Sequence, residues 1–221
     1  MFPLLPADLL RALGPVLIPL AWATAGWPSA AVMFLVFGAQ WLLRWLGGGT
    51  LLDWAGQAML LAAGWFSVVG LYHQVPTLDI VVHAAASAVV AGLVGVSLRA
   101  WLRHRAGSTG GMGAGAEPGR TAGIPGRTDA AGVVRAVGPL VAVLALASLT
   151  VTLGVVWEIA EWWAHHAVSE EIGVGYDDTL GDLLADSLGA LVGSALAVRA
   201  ADAGAVAVSG ATPSRAGQGS R

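Results

Sequence analysis

Six apolar runs dominate this chain, at about residues 9–26, 29–46, 51–71, 77–101, 138–165 and 179–198. Each is long enough to cross a hydrocarbon core of about 30 Å as a helix. Lipid offers no water to backbone amides, so segments of this kind must close their hydrogen bonds within a helix. The pattern predicts an all-α fold, a polytopic membrane helix bundle of about six transmembrane helices. Composition agrees, with 56% hydrophobic and 11% charged residues and a mean hydropathy of +0.72. A soluble domain has a very different balance. Cysteine is absent, which excludes a disulfide framework, a thiolate metal site and a cysteine nucleophile.

The segments between the runs carry turn signals: Pro28 and Ser29, Gly47 to Gly49, and Gln74 to Pro76. Residues 103–135 are rich in Gly, Ala, Ser, Pro and Arg and hold too few large apolar groups to build a core. They read as a disordered cytoplasmic loop, and 201–221 as a disordered cytoplasmic tail. Residues 1–200 then form a single transmembrane domain, without an internal repeat. All basic residues are Arg, at Arg11, Arg44, from Arg99 to Arg135, and at Arg199, Arg215 and Arg221. The connections near residues 27, 74 and 172 have none. By the positive-inside rule both termini face the cytoplasm, which makes this a multi-pass protein of the cell (cytoplasmic) membrane. Arg11, the apolar run after it and the small residues from Ala21 to Ala25 also fit a cleaved signal peptide, and that alternative leaves the remaining orientation unchanged.

The ionisable residues that lipid should exclude gather at the outer ends of three helices. Asp79, His83 and Ser87 recur every four residues and share one helical face. Glu158, Glu161 and His165 fall within an arc of about 60° at 3.6 residues per turn. Asp178, Asp182 and Asp186 form a third stripe, which Gly189 and Gly193 extend inward. Small residues at this spacing let a neighbouring helix approach, so the face points into the bundle. His83, Glu161 and Asp182 each lie within roughly 10 Å of their outer helix ends, so the stripes can meet. No Lys or Arg stands on that side, and Asp177 adds a further acid there. Crowded carboxylates in a poorly solvated place must take up protons or bind a cation. The candidate ligands of a divalent metal ion are Asp79, His83, Glu158, Glu161, Asp178, Asp182 and Asp186, and the candidate catalytic residues are Glu158, Glu161 and Asp182. Mixed oxygen and imidazole donors suit Zn, Mn or Fe, whereas carboxylates alone suit Mg or Ca.

Plainer roles stand beside these. Asp177 and Asp178 are suited to capping the last helix. Asp79 with His83, or Glu161 with His165, form local pairs on a helix. His166, Glu170 and Glu171 read as a solvated loop face, and Tyr72 and His73 as interfacial residues. The ten Trp residues belong mainly to interfacial belts, with Trp27, Trp162 and Trp163 on the outer side. Asp53 is placed to pair with Arg44 in a structural contact toward the inner side.

Three motifs together carry a family likeness: Asp79-x-x-x-His83, Trp157-Glu158-Ile159-Ala160-Glu161-Trp162, and Tyr176-Asp177-Asp178-Thr179-Leu180-Gly181-Asp182-x-x-x-Asp186-x-x-Gly189-Ala190. They resemble the YjdF-like inner-membrane proteins, a domain of unknown function, over about residues 50–198. More distantly they are similar to VanZ-like proteins. Asp186 stands where the VanZ-like pattern has Asn, Glu161 where it tends to have Gln, and the Arg that usually precedes the last motif is missing. The resemblance implies a membrane fold and, through the VanZ-like kinship, work at the cell envelope.

Three functions compete at this stage. One is a cation-dependent enzyme acting on a lipid or lipid-linked envelope substrate. Another is a non-catalytic envelope protein whose acids fix helix packing. The third is a cation or proton transporter, for which Asp53, Gln57, Gln40, Thr150 and Thr152 are the inward polar groups. The lipid bilayer is the expected partner, and nucleic acid is not.

Overall fold

A computed structural model describes residues 4–109, 130–170 and 174–210. They form eight helices: α1 (Asp8–Arg11), α2 (Leu13–Gly47), α3 (Leu51–Val68), α4 (Leu71–Gln74), α5 (Pro76–Thr109), α6 (Ala130–Val137), α7 (Pro139–Ala167) and α8 (Tyr176–Gly210). No strand occurs among the described residues. Four stretches, Asp8–Gly47, Thr77–Arg105, Pro139–Ala167 and Tyr176–Ala201, are long and apolar enough to cross a membrane. At 18 residues α3 is about 27 Å long. The molecule is thus an all-α membrane protein, as its apolar runs require.

The first of those stretches is a hairpin of two limbs rather than one rod. Ala25 leaves helical geometry and Gly26 has φ 79°, a conformation that a side chain disfavours. The limbs 13–24 and 27–47 fold back on each other: Gln40 Nε2 donates to Leu10 O at 3.2 Å, and Gly14 packs on Phe37 and Gln40. The break therefore precedes the turn expected at Pro28 and Ser29. Pro28 sits in the opening of the second limb, where its missing N–H costs no helical bond. Ala21, Met33, Val36, Leu61 and Val68 form the core where the hairpin meets α3.

Arg-bearing and acid-bearing residues occupy opposite ends of the bundle. At the Arg end, Asp8 takes Arg44 through two bonds, from Nε at 2.9 Å and Nη2 at 3.2 Å. Arg11 bonds both Asp8 and Asp53. Asp53 also accepts Gly49 N at 3.0 Å and Gln57 Nε2 at 3.1 Å. The expected Asp53–Arg44 pair is therefore replaced: Arg44 grips Asp8, and Arg11 reaches Asp53 because the hairpin returns the chain start to the foot of α3. The first limb is part of this framework, with Ala21 in the core and Arg11 buried.

α8 lies along α5 on a seam of small residues. A β-carbon at Gly189 would collide with the Ala84 carbonyl, and one at Gly193 with that of Ala88. Gly154 on α7 likewise makes room for the Asp186 side chain. The stripe continued by Gly189 and Gly193 thus faces α5, and close backbone approach sets the depth at which side chains on α5, α7 and α8 meet. α5, α7 and α8 are longer than their apolar runs, whereas α3 stops at Val68, short of the expected 51–71. α5 continues to Thr109 and α6 begins at Ala130, both inside the expected 103–135 loop, whose residues 110–129 lie outside the described residues. α8 runs to Gly210 through the start of the expected tail, of which 211–221 lie outside them.

Candidate metal centre

Where the seam crosses the acid-bearing end, His83 of α5 stands among carboxylates from three helices. Its Nε2 is 3.8 Å from Asp79 Oδ1, one turn earlier, and 3.9 Å from Asp182 Oδ2 on α8. Its Nδ1 is 3.3 Å from Asp186 Oδ1. Asp186 is fixed from the other side by Ser87 Oγ, which donates to the same oxygen at 2.7 Å. Four-residue spacing on α5 and on α8 puts Asp79, His83 and Ser87 opposite Asp182 and Asp186, with the glycine seam holding the two helices in register.

α7 closes the third side. Two triads, Asp79–His83–Asp182 and His83–Glu158–Glu161, each bring one donor atom per residue within 4.8 Å of one another, and they share His83. A bound ion at about 2.1 Å from its ligands holds them some 3.0–3.4 Å apart, so small rotamer changes would close either triad. Glu158 is only 9% exposed. The Thr179 hydroxyl supports its carboxylate, yet its Oε1 is buried without a hydrogen-bond partner. A buried carboxylate oxygen left bare in this way costs free energy unless something positive meets it.

Among the described residues every arginine lies toward the other end, so the only basic group in this cluster is His83 itself. Of the expected ligands, Asp79, His83, Glu158, Glu161 and Asp182 converge. Asp186 touches the cluster through His83 and Ser87. Asp178 is exposed in the first turn of α8, and Asp177 beside it is exposed too. Asp178 stands at the rim of the stripe, where its charge still acts on Asp79, Glu158 and Asp182. His165 is half-buried one turn beyond Glu161 and stacks edge-on against His166 at 5.1 Å. Glu171 lies outside the described residues. Tyr72, on α4, donates to Ala63 O at 3.1 Å, and burial pushes its phenol up to about 12.

Two contributors escaped sequence reading, Thr179 and Gly154. Gly154 stands four residues before Glu158 on one helical face, a small-then-acidic spacing that marks where another side chain can enter. The inward polar groups do not extend the site. Thr150 and Thr152 bond carbonyls of their own helix, at 3.1 and 2.8 Å. Gln40, Gln57 and Asp53 belong to the Arg-end network.

A family described as "Predicted membrane protein (DUF2238)" matches residues 16–203. The chain belongs to this family. It is the family that the YjdF-like motifs pointed to, and the matched region contains α3 to α7 whole, most of α2 and the α8 stripe. No curated protein and no solved structure matches the chain. Membership in DUF2238 makes the protein a membrane protein and leaves the chemistry to its residues.

Proposed function

We propose that this protein holds a divalent cation on Asp79, His83, Glu158, Glu161 and Asp182, and uses it as an enzyme on a lipid or lipid-linked substrate at the outer leaflet of the cell membrane. The observation that carries the reading is the bare, buried Oε1 of Glu158 in one of two triads that share His83. Four carboxylates around one imidazole, without an arginine, form a donor set that a cation completes. Glu158, Glu161 and Asp182 are the groups closest to the chemistry. When bound, such an ion polarises a phosphoryl oxygen or activates water. Asp186, bonded to Ser87 and His83, is a positioning residue in this scheme, and Asp178 lies at the rim. The arginine distribution supports the outer side of the cytoplasmic membrane. The VanZ-like likeness of the motifs supports work at the cell envelope.

A packing role is the second reading, favoured by the Ser87–Asp186 bond and by the fit of Asp186 against Gly154. Transport has less support, since Thr150 and Thr152 bond their own helix and Gln40, Gln57 and Asp53 belong to the Arg-end network. Elemental mass spectrometry of detergent-purified protein decides between the first two. A stoichiometric metal in the wild type that is lost in Glu161→Ala and Asp182→Ala is the expected result. Its absence after controlled resupply sinks the cation reading and leaves packing.

A further inference from the structure

Beside the cluster, between the end of α7 and the start of α8, lies a cavity of about 450 Å³. Trp162, His165, His166, Tyr176, Thr179 and Leu180 line it. Thr179 also supports Glu158, so the cavity adjoins the candidate metal centre through one side chain. Trp157, Trp162, Trp163 and Tyr176 are exposed at this level, which is the signature of a membrane–water interface. The cavity therefore sits at headgroup height.

Three observations define what fits it. His166 Nδ1 is 2.7 Å from the Trp162 carbonyl. A carbonyl only accepts, so the neutral ring carries its hydrogen on Nδ1 and leaves Nε2 as an acceptor. Tyr176 and Trp162, whose ring lies 4.7 Å from that of His166, supply aromatic lining, which favours a cation. The fixed charges at the rim are acidic: Asp177 and Asp178 are exposed beside Tyr176, and a β-carbon built on Gly175 would stand 3.7 Å from Asp178 Cβ. An anionic headgroup meets repulsion here, and a quaternary ammonium has no N–H for His166. We infer that this cavity binds the primary ammonium of a phospholipid headgroup of the phosphoethanolamine type, its phosphate lying toward Thr179 and the metal centre. The inference rests on the reading of this end as a lipid-acting site and names the lipid.

Native mass spectrometry of the detergent-purified protein tests it, with phosphatidylethanolamine, phosphatidylcholine and phosphatidylglycerol of matched chains supplied in equal amounts. Phosphatidylethanolamine and phosphatidylcholine adducts are expected to exceed phosphatidylglycerol by about five-fold, the factor given by about 1 kcal/mol of cation–aromatic attraction that both ammonium groups share, and phosphatidylethanolamine to exceed phosphatidylcholine by a similar factor through its N–H bond to His166. Trp162→Leu should lower both amine lipids toward phosphatidylglycerol, His166→Ala should bring phosphatidylethanolamine down to phosphatidylcholine, and His166→Gln, which keeps an acceptor, should retain most of that difference. Trp163→Leu, outside the cavity, should change nothing. Equal retention of the three lipids, or a preference for phosphatidylglycerol, overturns the inference. So does displacement by free ethanolamine at concentrations equal to the lipid, which would assign the cavity to a soluble amine. Metal content is read on the same samples: lipid selectivity without metal removes the cation reading alone, and metal without selectivity removes this inference alone.

Discussion

Arg11→Gln isolates the network at the Arg end. Arg11 is 3% exposed and Asp53 0%, and the guanidinium joins Asp53 to Asp8. Its loss leaves the Asp53 carboxylate buried, hydrogen-bonded by the Gly49 amide and the Gln57 side chain and with Arg44 acting on it only at a distance. Breaking a buried ion pair from one side costs about 3–5 kcal/mol. In a chain of this size each kcal/mol moves the melting temperature by about 2–4 °C, so a fall of about 6–20 °C is expected. Intrinsic tryptophan fluorescence during heating reads it directly in detergent. The double variant Arg11→Gln with Asp53→Asn removes the stranded charge and should recover several degrees. A single variant within 2 °C of the wild type, or a double variant whose loss equals the sum of the singles, would refute the argument that the charges are buried together.

Other outcomes follow from the packing and the site. Gly189→Val drives a branched side chain into the Ala84 carbonyl and should cost at least about 1–3 kcal/mol, whereas Gly181→Ala, with open space around it, should stabilise α8 by up to about 1 kcal/mol; paired thermal melts check both. Ser87→Ala strips the hydroxyl from Asp186 and should destabilise by about 1–3 kcal/mol if no cation compensates, a loss that added metal should partly reverse. Tyr72 titrates late because burial favours its neutral phenol. An ultraviolet difference titration should show one transition near 12 that Tyr72→Phe removes. Since its folded value lies above the ordinary phenol value of 10.0, the stability it contributes is complete below 10.0 and falls away as pH rises to about 12.

Apolar run length and arginine placement were enough to read an all-helical bundle with two chemically different ends, because membrane solvation and charge sidedness act on local sequence. The convergence of Asp79, His83, Glu158, Glu161 and Asp182 was legible for a similar reason: four-residue spacing places a stripe on one face, and glycines on the same face mark the helix that will meet it. Partner choice was not legible. Asp53 pairs with Arg11 instead of Arg44 since the reversal at Ala25 and Gly26, set by backbone conformation, decides which arginine reaches α3. Asp178 stands exposed in the first turn of α8 yet acts on Asp79, Glu158 and Asp182 through its charge, since a stripe gives the direction of a side chain and not its depth. Thr179 and Gly154 act through shape and a hydroxyl, and neither stands out in an apolar segment.

The Arg-end network also implies an order of assembly. Asp8 and Arg11 are three residues apart, so the first limb can enter the bilayer with its charges matched. The second limb adds Arg44, so that two arginines share the one carboxylate of Asp8, and Asp53, 42 residues after Arg11, supplies the second. A nascent chain halted after the hairpin therefore carries an excess cation at its foot, and the smallest electrically neutral unit beyond the first limb is the hairpin together with α3.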